Sequence, residues 1–420
     1  MSLATEAPPS EGVIYFDNAA TSFPKAPGVA LAMHRFLDHD AANPGRAGHR
    51  MAVAAEHLLD QLRLKLTRLF EGDDPNRLIF AMNCTDALNM AIKGVIPSRL
   101  PDGSRPHVVT TVLEHNSVSR PLTAMEAVGQ IDLTRVDCDD HGRVDPDAVR
   151  RAVSPRTVLV VMTHASNVLG TLQDAGAIGR ICRERDVLFC LDAAQTAGAF
   201  PVSIRAMSVD LLAFPGHKSL LGPTGTGGLY VGPRCPEPAE SCAALAGQAT
   251  TVRMASYVKM RPWREGGTGG DSTTPTQPAI YPYYLEGGTP NTVGAAGLLQ
   301  AVDHLQARGL QTALAHEQHL VQRLIDRLAD DDRFTVYGGR SAQERVGTVS
   351  LNVRGFAPQD VASILDDSFR IAVRPGLHCA PGAHRRIGSF PDGAVRVSPG
   401  PFNTLAELDA LTDALLQIAG

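Results

Sequence analysis

Asp210-Leu-Leu-Ala-Phe-Pro-Gly-His-Lys218-Ser-Leu-Leu-Gly-Pro-Thr-Gly-Thr-Gly-Gly-Leu-Tyr-Val231 decides the fold. It reads as an apolar strand, a Gly-His-Lys turn, a Gly-rich loop and a second apolar strand. A single lysine is ordinarily a solvated surface charge, but Lys218 stands on a turn between two apolar runs. An amine in that position is partly desolvated, so a useful fraction is neutral and nucleophilic. That is the setting for a lysine that holds pyridoxal phosphate (PLP) through an imine.

A second segment lies about 25 residues upstream, Val187-Leu-Phe-Cys-Leu-Asp192-Ala-Ala-Gln-Thr196. PLP draws electrons only while its pyridine nitrogen stays protonated, which requires a carboxylate partner. An Asp at the carboxyl end of a central strand in an open α/β sheet is where such a partner sits. Asp192 can also cap a following helix. Its pairing with the Gly-His-Lys turn favours the cofactor.

The bulk composition sets bounds on the function. The 420 residues, 44% hydrophobic and 20% charged, are ordinary for a soluble protein with a large and a smaller domain. The net charge of -5 gives no electrostatic case for nucleic acid or an anionic membrane. No apolar run of about 18 residues is present to span a bilayer. Residues 1–14 are expected to form a short disordered tail rather than a targeting peptide. Cys84, Cys138, Cys182, Cys190, Cys235, Cys242 and Cys379 are dispersed and odd in number, without C-x-x-C spacing. They indicate neither a disulfide framework nor a metal site, and a reducing cytoplasm is expected.

Short apolar runs at 78–82, 108–112, 131–136, 158–163, 187–191, 211–214 and 228–231 alternate with amphipathic stretches such as 52–69 and 174–185. This alternation predicts a mostly parallel seven-stranded sheet with helices on both faces, its last pair antiparallel. Residues 232–290 break the pattern with Gly, Pro, Ser and Thr. Two long helices near 293–307 and 311–329 then open a C-terminal α+β unit. The expected division is a large domain over 15–290, with an insertion at about 234–260, and a small domain over 291–420.

Four further segments carry chemistry. Arg374-Pro-Gly-Leu-His378-Cys379-Ala-Pro381 enters a Gly/Pro/Arg-rich loop over 382–392. His378, His384, Arg385 and Arg386 are expected to make it electropositive and favour a thiolate at Cys379, although a Cys on a loop is often incidental. Asn83-Cys-Thr-Asp86, before a helix, suits an anion through free amides and a hydroxyl, or is a plain cap. Glu114-His115-Asn116 offers an imidazole that can stack on a flat ring. Ala165-Ser-Asn167-Val-Leu-Gly170 places an amide at the same sheet edge. Four strands therefore end in polar residues that can converge on one crevice.

With these residues in view, the chain resembles the class V aminotransferase-fold enzymes, specifically cysteine desulfurases related to selenocysteine lyases. The matching segments are Tyr15-Phe-Asp-Asn18-Ala-Ala-Thr21, Glu114-His115-Asn116, Ser166-Asn167-Val-Leu-Gly-Thr171, Asp192-Ala-Ala-Gln195, Gly216-His217-Lys218, Gly288-Thr289-Pro-Asn-Thr292, Arg374 to Cys379 and Arg396-Val-Ser398. The resemblance implies a PLP-dependent transferase of fold type I that is a homodimer. It implies that Lys218 holds PLP and shuttles the substrate proton, and that Asp192 pairs with the ring nitrogen. Gln195 would bond the phenolic oxygen, His115 would stack on the ring, and Asn167 would lie near that oxygen or the substrate carboxylate. Thr85, the backbone around Cys84, and His217 would cradle the phosphate, with Thr289 reaching the phosphate of the neighbouring subunit. Arg396 would bind the substrate carboxylate bidentately, with Arg374 and Asn18 close by. Cys379 would attack the sulfur.

Three departures from the family pattern stand out. Pro215 replaces a common Ser or Thr, Cys84 replaces a common Thr, and the insertion precedes Arg261-Pro-Trp263. The implied reaction converts L-cysteine to L-alanine with a persulfide on Cys379, for which a protein can serve as sulfur acceptor. The alternative of the same fold is a C–S or C–Se lyase, an epimerase or an aminotransferase acting on a cysteine-derived substrate. A catalytically silent scaffold for sulfur-relay partners is the reading from another class.

Overall fold

The computed structural model describes residues 12–45, 48–235, 260–268 and 275–420. Most of the tail and of the insertion expected at 234–260 lies outside the described residues. In chain order the first half holds β1 (Ile14–Tyr15), α1 (Val29–His39), α2 (Arg50–Leu69), β2 (Leu78–Ala81), α3 (Cys84–Val95), β3 (His107–Thr111), α4 (Asn116–Ala127), β4 (Asp132–Val136), α5 (Pro146–Ala152), β5 (Thr157–Thr163), α6 (Ala175–Glu184), β6 (Leu188–Asp192), β7 (Leu211–Pro215) and β8 (Gly227–Val231). The second half holds α7 (Thr292–Arg308), α8 (Leu310–Leu328), β9 (Phe334–Val336), β10 (Val349–Val353), α9 (Pro358–Phe369), β11 (Ile371–Ala372), β12 (Arg374–Gly376), α10 (Pro381–Arg386), β13 (Ala394–Val397) and α11 (Leu405–Ala419).

Among the described residues the large sheet has seven strands, in the order β2-β8-β7-β6-β5-β3-β4. β8 runs antiparallel to both its neighbours, as the short Gly-rich turn before it predicts. Strands β5, β6 and β7 are buried along their whole length, as strands covered on both faces must be. Alternate residues feed two cores. Val160, Met162, Phe189, Leu191, Leu212 and Phe214 meet α2, α6 and α7 on one face. Leu159, Val161, Leu188, Cys190, Leu211 and Ala213 meet α3 and α4 on the other. Burying each such side chain contributes roughly 1.5–3 kcal/mol.

From β3 the chain turns to β4 on one side and then to β5 on the other. That reversal opens a crevice at the carboxyl ends of β3 and β5, where ligands of open α/β sheets bind.

The C-terminal unit is a four-stranded sheet, β12-β13-β10-β9, whose core joins α8, α9 and α11. Two packing facts qualify the boundary expected at 291. Ala295, Leu298, Val302 and Leu305 of α7 belong to the large-sheet core. At the other end of the chain, β1 pairs in parallel with β11, so the first described strand belongs with the small unit.

Candidate active site

Lys218 sits three residues past β7, at a cavity of about 180 Å³. The same cavity is lined by Cys84, Thr85, His115, Asn167, Asp192, Gln195, His217, Arg374 and Arg396. Residues spread over more than 300 positions of sequence thus meet because each ends or follows a strand of the large sheet or belongs to β12 or β13. Removal from water pushes the Lys218 ammonium below the ordinary lysine range; Cys84 and Asp192 oppose this, while Arg396 and Arg374 add to it.

Asp192 ends β6 and is 2% exposed. Its Oδ1 accepts from the Ala194 amide at 2.9 Å and the Cys84 thiol at 3.4 Å. Burial pushes its carboxyl up, and the Ala194 amide and Lys218 pull it back. No described donor engages Oδ2, which leaves a buried acceptor for a cationic partner. Cys84 therefore turns its thiol to Asp192, and burial holds that thiol well above its ordinary range.

His115 caps α4, and its Nδ1 accepts from the Ser117 amide at 3.0 Å. The neutral ring thus carries its hydrogen on Nε2. Burial, reinforced by Lys218 and the nearby arginines, lowers its pKa to about 4. Ser117 Oγ lies 2.8 Å from His115 Nδ1 and 2.7 Å from Thr85 Oγ1. Ser117 lines the cavity and was not singled out from sequence, although it stands two residues after His115 in the same cap. The amides of Cys84 and Thr85 open α3 and have no intrahelical acceptor, so they suit an anion.

Gln195 Nε2 donates to the Ala19 carbonyl at 3.1 Å. Asn167 Nδ2 donates to the His378 carbonyl at 2.6 Å, tying the cavity wall to the cysteine segment. Arg396 is 1% exposed; its Nη2 pairs with Asp17 at 2.7 Å and its Nη1 donates to the Asn167 carbonyl at 3.2 Å. Its Nε is buried without a partner. The guanidinium is thus held in place with hydrogens to spare.

Lys25 escaped the sequence reading altogether. Its Nζ donates to the His217 carbonyl at 2.9 Å, to Thr21 Oγ1 at 3.0 Å and to Ser22 Oγ at 3.1 Å. Burial lowers its pKa to about 8. The carbonyl just before Lys218 is thereby clamped from the N-terminal segment. His217, lowered to about 4 by burial, faces Thr21 Oγ1 at 3.1 Å.

Three expected residues lie elsewhere. Asn18 does not line this cavity. Its amide is consumed by the Ser398 carbonyl, Asn403 Oδ1 and the Phe23 amide, so its role here is to hold the segment bearing Ala19 and Ala20. Thr289 lines a separate hollow of about 240 Å³ beside Gly225–Gly227. Cys379 is exposed, next to His378, which does line the cavity.

Of the four groups expected to make the surroundings of Cys379 electropositive, the two histidines contribute no charge. His378 and His384 are buried and held near 3 and 4, so neither is charged near neutrality. Arg386 is paired with Asp137 and Asp140, and Arg385 lies over the Phe390 ring. Both His378 and Cys379 are left-handed, with φ of 49° and 57°, a conformation that costs an L-residue roughly 1–2 kcal/mol each.

The residues fit PLP. There is a partly desolvated lysine, a buried carboxylate with a free oxygen, a capped imidazole, and helix amides at the opposite end.

The chain matches the class-V aminotransferase family over residues 14–411. It is 32% identical to a probable cysteine desulfurase of Methanothermobacter thermautotrophicus, covering 97% of this chain and 95% of that protein. It is 30% identical to a probable cysteine desulfurase of Pyrococcus abyssi, covering 98% and 96%. Among solved structures, the apo cysteine desulfurase of Thermococcus onnurineus superposes with a TM-score of 0.86 at 30% identity, covering 97% of this chain and 95% of that one. The cysteine desulfurase CsdA of Escherichia coli superposes at 0.81 and 25%, covering 97% and 96%. The strand ends that converge on Lys218, together with these matches, establish that the chain belongs to the class-V aminotransferase family.

Proposed function

We propose that the chain is a PLP-dependent cysteine desulfurase that moves the sulfur of L-cysteine to Cys379 and releases L-alanine. The observation that carries this is the meeting of Lys218, Asp192 and Arg396 at one cavity, with Cys379 tethered at its edge through His378 and Asn167. When bound, PLP supplies an electron sink for negative charge at the substrate Cα. Lys218 and the α3 amides would hold it, Asp192 would pair with its ring nitrogen and His115 would stack on the ring. Arg396, steadied by Asp17, binds the substrate carboxylate with Arg374 beside it. Lys218 Nζ takes the Cα proton and returns a proton to Cα before alanine leaves. Cys379 Sγ, as thiolate, attacks the substrate sulfur. An S–S bond forms, the Cβ–S bond breaks, and its electron pair stays on carbon and is protonated. The sulfur is oxidised to a persulfide as Cβ is reduced to the methyl of alanine. The Thr289 loop serves the neighbouring subunit's site in a homodimer, and the exposed persulfide is offered to an acceptor protein.

One observation favours a lyase as second reading: Cys379 lies outside the cavity lining, and its flanking histidines lend it no charge. Alanine release by wild type and Cys379→Ser decides between the two. A desulfurase loses about a thousandfold in rate with L-cysteine, because a hydroxyl is a poor nucleophile near neutrality. Equal rates would establish the lyase.

A further inference from the structure

His384 and Ser389 have no part in the mechanism above, yet both are buried, at 0% and 7% exposure, beneath the segment that carries Cys379. Three contacts run in line. His378 Nε2 lies 3.0 Å from the Arg374 carbonyl. His378 Nδ1 lies 3.2 Å from His384 Nε2. His384 Nδ1 lies 2.7 Å from Ser389 Oγ.

The direction of this chain follows from elementary chemistry. A carbonyl oxygen only accepts, so His378 Nε2 carries the hydrogen. Burial keeps both rings neutral, so His378 Nδ1 has a lone pair and accepts from His384 Nε2–H. His384 Nδ1 then accepts from the Ser389 hydroxyl. Each ring is left with one permitted tautomer, and donation runs from Ser389 through His384 and His378 to Arg374.

We infer that His384 is a positioning residue for the sulfur-transfer step: its Nε2–H fixes the His378 ring and so aims Cys379 at the cavity. This rests on the desulfurase reading above. The backbone supports it. His378 and Cys379 are left-handed, a conformation that persists only when neighbours over-determine it. The ties that do so are Asn167 on the His378 carbonyl, Asn116 on the Cys379 carbonyl at 2.7 Å, and His384 on the His378 ring. The first two hold main chain, whereas His384 holds a side chain that itself lines the cavity. The same chain ends on the backbone carbonyl of Arg374, which leaves the Arg374 guanidinium out of it.

The test uses the full-length holoenzyme and alanine release from two substrates. L-Cysteine requires thiolate attack. L-Cysteine sulfinate expels its oxidised sulfur without a nucleophile. His384→Leu should lower kcat for L-cysteine by about tenfold or more with KM unchanged, and leave the sulfinate rate and the PLP absorbance near wild type. His384→Gln, whose amide N–H reaches the place of Nε2, should recover most of the loss. Ser389→Ala frees the second tautomer of His384 and should fall between the two. If His384→Leu does not fold, Ser389→Ala carries the test. Equal loss on both substrates, or no difference between Gln and Leu, would overturn the inference. Wild-type rates for these variants alongside an inactive Cys379→Ser would overturn it alone. A fully active Cys379→Ser would instead remove the reading beneath it.

Discussion

At Lys218 two requirements conflict. An amine that attacks a carbonyl carbon must shed its proton, yet Asp192 and Cys84 nearby favour keeping it. Burial and the two arginines settle the balance toward the neutral form. Lys218→Ala should therefore lose turnover by at least about a thousandfold and lose the absorbance near 420 nm, while the circular dichroism stays native. Lys218→Arg should not rescue it, since a guanidinium stays protonated. Retention of the absorbance in Lys218→Ala would sink the assignment.

Pro215 poses a second question at this scale. It ends β7 and lines the cavity without a hydroxyl or an N–H to offer a phosphate. Pro215→Ser should tighten PLP about tenfold, the worth of one hydrogen bond to a charged group. Absorbance titration of the apoprotein measures it, and an unchanged affinity would mean that Thr85 and the α3 amides already suffice. Lys218, Asp192, His115 and Asn167 were legible in the sequence because each follows a buried apolar run. Lys25 was not, because it acts on the His217 carbonyl from 192 residues away and its own surroundings carry no motif. Asn18 was placed in the site because its motif is there, but its amide is used by residues 380 and more positions later.

Among the elements, the β3–α4 connection carries a hidden cost. Glu114 is 2% exposed; its Oε1 accepts from Thr111 Oγ1 at 2.6 Å and from the Thr163 amide at 3.2 Å, but its Oε2 has no partner. Burial raises its pKa from 4.5 to about 8. Between those values the unfolded chain has lost its proton and the folded chain keeps it. The stability is therefore fully present below 4.5 and declines as pH rises toward 8. Glu114→Gln removes that dependence. Its gain over wild type, read from denaturant unfolding, should be larger at pH 8 than at pH 5 by a few kcal/mol. A difference that does not change with pH would mean that Glu114 is ionised in the folded protein.

Element types read from sequence agree best where a segment is buried on both faces. The seven strands of the large sheet lie within a residue or so of the apolar runs. The sequence predicts loop where α10 stands, because Pro381 and Gly382 weigh against helix. Its signals are of another kind: Pro at the first helical position, and Arg385 and Arg386 in the last turn, where cations suit the dipole. Missing α10 also turned His384 from a buried neutral link into a surface charge.

For the whole molecule, Thr289 lies away from its own chain's cavity, so its expected phosphate contact requires a second subunit. Thr289→Ala should weaken PLP retention in the dimer by several-fold while leaving subunit association intact, as sedimentation together with cofactor absorbance would show. A monomer at micromolar concentration with full PLP occupancy would refute the shared site. Composition and periodicity cannot reveal sharing of this kind, because within one chain the hollow beside Gly225–Gly227 and the lysine cavity are separate.

The pairing of Ile14 and Tyr15 with Ile371 and Ala372 has a bearing on biosynthesis. These strands stand more than 350 residues apart, so the ribosome makes the first long before its partner. Only Val373 separates Ala372 from Arg374, so the strand made first braces a segment made much later. A nascent chain can build the large sheet early, since β2 to β8 are contiguous. It cannot complete the cavity around Lys218 until Arg374 and Arg396 have been made. In a product truncated before Arg374 the large sheet and Lys218 are present, but the cavity lacks both of its arginines.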